Sequence, residues 1–177
     1  MRSIAVAILA SCLMVGLNVA GSAAEQSSLQ VPQSIRHQHE QIIARLTHFA
    51  GHGGSVGAAA SKALNVLKDH YAKEEAFVLP LLGLLPRLAN GEVSKDMEPA
   101  IAMSERARAA SADLQNDHIQ ITSLMNELVA AGKNARNDEL VRLATRIASQ
   151  SLNDIEVAQP TAIIVGELLR QRLPKTQ

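Results

Sequence analysis

The chain has 177 residues, with seventeen basic and seventeen acidic side chains, six His, one Cys and only 2% aromatic residues. A single Cys excludes an intrachain disulfide scaffold, a paired-Cys zinc site and a covalent c-type haem. The charge balance gives no reason to expect a polyanionic partner, and the scarcity of aromatics argues against base-stacking platforms, so no nucleic-acid partner is expected.

The first segment reads as an address. Arg2 is followed by a mostly apolar run over 4–20, and Ser22-Ala23-Ala24 offers small residues ahead of Glu25. That order predicts a secretory signal over 1–24, cleaved near Ala24, with export to a periplasm and no membrane attachment afterwards. Two alternatives stay open: an uncleaved anchor, and lipoprotein processing at Cys12, because Leu9-Ala10-Ser11-Cys12 is similar to a lipobox. Residues 25–31 form a short polar lead-in, and 173–177 a C-terminal tail.

Between them, 32–172 reads as one all-α domain. Glycine-containing breaks at 51–55, 89–96 and 132–138 separate four Ala- and Leu-rich segments without alternating β-branched runs. The expected helices are A (32–50), B (56–88), C (97–131) and D (138–172). Short links between long helices predict an up-down-up-down antiparallel four-helix bundle. Pro32 and Pro99 suit first turns, whereas Pro80, Pro86 and Pro160 should kink or break B and D.

Core positions in such a bundle recur at spacings of three and four. Helix A then buries Ile35, His39, Ile42, Leu46 and Phe49. Helix B buries Leu67, His70, Glu74, Phe77 and Leu81, and helix C Leu114, His118, Ile121, Met125 and Leu128. Helix D gives Leu140, Leu143, Ile147, Gln150, Asp154, Val157, Thr161, Ile164 and Leu168. Each apolar stripe is interrupted near one level only, by His39, by His70 with Glu74, by His118, and by Gln150 with Asp154. B and D also share a spacing: the polar pair is four apart, and a proline follows its first member by ten. His37, His48 and His52 fall off the stripes and read as surface residues. Glu75 and Tyr71 are off-stripe too, Glu75 as a solvated charge.

An inward carboxylate costs several kcal/mol unless paired or metal-bound. The stripes offer no Lys or Arg at this level, so a divalent cation is the natural counter-charge. Three imidazoles and two carboxylates supply N and O donors that suit iron, zinc or manganese. His70 and Glu74, one helical turn apart, can share one ion or bridge two. No nucleophile triad, phosphate loop or organic-substrate pocket is legible, so an oxidase or peroxidase role has no sequence support beyond the same centre.

The run His70-Tyr71-Ala72-Lys73-Glu74-Glu75-Ala76-Phe77-Val78-Leu79-Pro80 resembles the signature of hemerythrin-like, or HHE cation-binding, domains. His39-Glu40 and His118 sit where that family has single-helix ligands, and 160–169 is similar to the end of its last helix. The resemblance covers roughly 32–172. It implies a four-helix bundle with a non-haem iron centre, mono- or di-nuclear, that binds dioxygen or another small ligand, or senses oxygen or iron. The chain departs from the family at Gln150, where a His is expected, at Asp154-Ile155, where an acidic pair is expected, and at Leu114 and Thr122, where helix C often has a second His. The implied metal ligands are His39, His70, Glu74, His118 and Asp154, with Gln150 at best a weak carbonyl donor. A mononuclear site, a weaker two-metal site, another divalent metal, or a metal-free bundle with a structural or interaction role all fit five donors.

Overall fold

The computed structural model describes residues 29–174, so the expected signal, Cys12 and most of the tail lie outside the described residues. Those described contain helices and no strand: α1 (Gln33–Ala50), α2 (Gly54–Phe77), α3 (Leu79–Leu82), α4 (Leu85–Ala89), α5 (Pro99–Ala109), α6 (Ser111–Asn134), α7 (Asp138–Asn153) and α8 (Gln159–Arg172). A short 3-10 turn precedes α5, and a π-helical turn, Asp154–Ala158, joins α7 to α8. No described helix is long and apolar enough to cross a membrane.

Each expected helix B, C and D is divided, for local reasons. Pro80 cannot donate to the carbonyl one turn back, and B breaks at Val78, whose own N–H still reaches Glu74. C bends at Ala110 without losing its ladder: Ala110 N–H donates to Arg106 and Leu114 N–H to the Ala110 carbonyl. The break expected over 132–138 falls at Ala135–Asn137, with Arg136 in the left-handed region. Gly132 stays within α6, and a Cβ there would meet a Val141 methyl at 2.9 Å where α6 and α7 pack. Asn137 then caps α7 by accepting from Leu140 N–H.

The division of D has the largest consequence. In the π turn the Gln159 N–H reaches back five residues to the Asp154 carbonyl. One extra residue per turn advances the buried face by one position. The expected positions Val157 and Ile164 are accordingly 59% and 65% exposed, and Ala158, Ala162, Val165 and Leu169 are buried in place of 157, 161, 164 and 168. The stripes expected for B and C are all buried, as is that of A apart from half-buried Ile35.

Side-chain links show how the long helices run. His39 meets Glu75, His70 meets Asp117 while Lys62 meets Glu127, and His118 meets Ser151. Gln38 meets Gln150 while Arg45 meets Glu139. As one number rises the other falls across α2–α6 and α1–α7, so these neighbours are antiparallel. The short links after α1 and α6 reverse the chain as well. The fifth helix packs on α8 so closely that a Cβ at Gly166 would lie 2.0 Å from Ser104 Oγ.

The core is divided into two apolar clusters. One holds Leu46, Leu67, Met125 and Leu143 between α1, α2, α6 and α7. The other holds Phe77, Leu81, Met97, Leu114 and Leu169. The described end of the lead-in joins this packing: Val31 is buried, Leu29 packs on the second cluster, and Gly83 leaves room for the Gln30 carbonyl. Between the clusters lies a layer of buried polar side chains.

Candidate metal centre

That layer contains His39 from α1, His70 and Glu74 from α2, His118 from α6 and Ser151 from α7, each no more than 4% exposed. Their placement follows from the stripes. His70 falls between Leu67 of one cluster and Phe77 of the other, and His118 between Ile121 and Leu114. Helical periodicity thus carries polar groups inward at one level of an otherwise apolar core.

His70, Glu74 and His118 each offer a ligand atom, and these atoms lie within 4.8 Å of one another. This trio could hold a metal ion. Bonds of about 2.1 Å put two donors on one ion at most ~4.2 Å apart, so a small inward adjustment suffices. His70 Nε2, Glu74 Oε2 and His118 Nε2 are buried without a hydrogen-bond partner. Leaving such atoms unpaired costs roughly 1–3 kcal/mol each, which a shared cation would offset. His70 Nε2 lies 3.3 Å from Glu74 Oε1, and His39 Nε2 lies 4.0 Å from Glu74 Oε2, so the two carboxylate oxygens face different imidazoles.

The other nitrogen of each imidazole is held from outside the cluster. His39 Nδ1 donates to Glu75 Oε1 at 2.8 Å, His70 Nδ1 to Asp117 Oδ2 at 3.3 Å, and His118 Nδ1 pairs with Ser151 Oγ at 2.8 Å. An Nδ1–H bound to a carboxylate leaves Nε2 as the bare lone pair, the state a metal ligand needs. Lys73 donates to the same Asp117 oxygen at 2.6 Å and holds it in place. The Tyr71 ring stacks on His39 at 3.7 Å between centroids, within 3° of parallel. Tyr71 is buried, and Glu75 is half-buried rather than the solvated charge that the stripe spacing suggests. Both sit one position from a stripe residue, at the flank where neighbouring helices meet.

Asp154 and Gln150 lie at the edge. Both are half-buried, and with His70 and Ser151 they line a cavity of about 10 Å³, near the size of a single water. Gln150 Oε1 accepts from Gln38 Nε2 at 2.9 Å, so that oxygen is already engaged. His37, His48 and His52 are exposed, as their spacing indicates. Asp117 and Ser151 were not legible as site residues. Ser151 did carry a signal, since it follows Ile147 by four.

Burial and neighbouring charges shift the titration of several groups in and around this layer. Burial, and then the Glu74 charge, push Asp154 up to about 7, against an opposing pull from His70. Burial, and then His70, push His118 down to about 4, which keeps it neutral. Burial disfavours a charged His70, but Glu74 and Asp117 outweigh it and raise its pKa. Burial, then Glu74 and Asp154, raise Tyr71, so its hydroxyl stays protonated. Asp117 is lowered although burial opposes this, because Lys73 and His70 prevail. Comparison with protein-family models, curated proteins and solved structures gives no match for this chain.

Proposed function

We propose that this is an exported metal-binding protein of the hemerythrin-like type, with a non-haem iron centre that binds or senses dioxygen or another small ligand. The observation that carries this reading is the orientation of the imidazoles. Three Nδ1 atoms are held from outside, and the Nε2 atoms of His70 and His118 are left unpaired beside Glu74. The antiparallel contacts of α1 with α2, α2 with α6, α6 with α7 and α7 with α1 support an up-down-up-down four-helix bundle.

His70, Glu74 and His118 would hold the ion, with His39 and Asp154 completing the set. The N and O donors, without thiolate, suit iron, and a bound iron would supply an open position for a small ligand. The chain's own groups do the rest. Glu75, Asp117 and Ser151 fix the rings, Glu74 and Asp154 balance the charge, and the two apolar clusters exclude bulk water.

The test is metal content and visible absorption of the purified protein after anaerobic iron loading and then air exposure. Bound iron that is lost in His70→Ala and Glu74→Ala supports the reading. Absence of metal in the wild type, or unchanged content in both variants, refutes it.

A second reading is a metal-free bundle with a structural or interaction role. It is favoured by Gln150, whose oxygen is taken by Gln38 where the resembled family has a ligand. It predicts a melting temperature indifferent to chelators, whereas a bound metal raises it by linkage.

A further inference from the structure

Three of the four helix seams around the buried centre are closed by its own supporting groups. Glu75 and Tyr71 fill the α1–α2 side against His39. Asp117 and Lys73 close the α2–α6 side over His70, and Ser151 closes the α6–α7 side against His118. The α1–α7 seam differs. These two helices touch least, and two side-chain pairs cross between them: Gln38 with Gln150, and Arg45 with Glu139.

A groove of about 350 Å³ opens from solvent on this seam, lined by Gln38, Arg146, Gln150 and Asp154 among others. Gln150 and Asp154 also line the inner cavity beside His70. The groove and the inner cavity are therefore neighbours that share two side chains. One of these is a carboxylate, and the other is hydrogen-bonded across the seam.

We infer that divalent cations reach the centre through the α1–α7 groove, and that the Gln38–Gln150 hydrogen bond is the gate that sets their rate of passage. The inference rests on the metal-binding reading above. Asp154, at the boundary between groove and cavity, takes the cation from solvent and passes it inward. The inner cavity has room for one water-sized species, so cations must shed most of their hydration there, and larger complexes are excluded. Gln38 is no ligand in this arrangement. Its loss changes how fast ions pass and not how tightly they are held.

The test is stopped-flow exchange of Co²⁺, followed by its visible absorption, in the full chain. Uptake and release into excess EDTA are measured for wild type, Gln38→Ala, Gln38→Met and Arg45→Ala. Gln38→Met keeps side-chain volume while removing the amide, so it guards against a packing defect. Both Gln38 variants should take up and release Co²⁺ roughly fivefold faster, the factor that one net hydrogen bond is worth, with unchanged affinity. Arg45→Ala cuts the other link across the same seam, away from the groove, and should exchange like wild type. Unchanged rates in the Gln38 variants overturn the gate alone and leave the metal reading standing. An equal acceleration in Arg45→Ala overturns it too, as general loosening of the seam. A wild type that takes up no Co²⁺ overturns both.

Discussion

Replacing Asp117 by alanine removes the carboxylate that holds His70 Nδ1 at 3.3 Å and Lys73 Nζ at 2.6 Å. Lys73 is 41% exposed, so its ion pair contributes only about 0–1 kcal/mol, but the buried His70 Nδ1–H left without a partner costs about 1–3 kcal/mol, so the metal-free variant should itself melt below wild type. The effect on metal is read separately, as the rise in Tm that metal produces in each protein. Loss of the group that orients a ligand imidazole weakens binding by about 10–100-fold. At a free metal concentration about a thousand times the wild-type Kd, binding stabilises the wild type by about 4 kcal/mol. The variant, at about ten to a hundred times its own Kd, retains roughly 1.4–2.7 kcal/mol. A domain of this size shifts by about 2–4 °C per kcal/mol, so the metal-induced rise in Tm should fall by about 3–10 °C. Scanning calorimetry of both proteins, dialysed against EDTA and then titrated with metal, reads this difference directly. Equal metal-induced shifts in Asp117→Ala and wild type would refute the view that Asp117 sets the His70 ring for coordination.

The remaining predictions concern charge and packing. Asp154 is pushed up to about 7 in the metal-free fold, so that fold binds its proton more tightly than the unfolded chain does. Its contribution is therefore favourable at low pH and is lost as pH rises from about 4 through 7. Asp154→Asn should leave metal-free stability nearly unchanged near pH 4 and raise it relative to wild type by pH 8, as read by urea melts across that range. A difference that shrinks with pH would contradict the placement of Asp154 beside Glu74. The same variant should bind metal more weakly, because it removes a carboxylate donor. Gly166→Ala should destabilise by about 1–3 kcal/mol, because its Cβ would overlap Ser104. Ser104→Gly in the same chain should recover part of that loss, and simple additivity of the two changes in denaturant melts would count against the overlap.

Helical periodicity alone was enough to find the level at which polar groups turn inward. His39, His70, Glu74 and His118 interrupt apolar stripes, and a side chain on a stripe must face the core wherever the helix runs without interruption. The same arithmetic separated these from His37, His48 and His52, which are exposed. It failed where the helix changed its own period. The π turn at Asp154–Ala158 moves the face of α8 by one residue and exposes Val157 and Ile164, and a count that assumes α-helical spacing carries no sign of this. Pro160 announces a disturbance there without stating whether it is a kink, a break or a π turn.

The groups that orient the imidazoles belong to the tertiary structure in a stronger sense. Glu75 holds a ring from α1, Asp117 one from α2 and Ser151 one from α6, so none acts on its own helix. Which flank residue meets which ring depends on the distance and rotation between neighbouring helices, and a one-dimensional spacing contains neither. The histidines, carboxylates and single Cys of the chain therefore establish which donors are available, N and O without a sulfur pair, and the stripes establish their level. Only the packing of α2 against α6 decides that three of those donors converge within 4.8 Å, with Asp154 and Gln150 left on the lining of a groove.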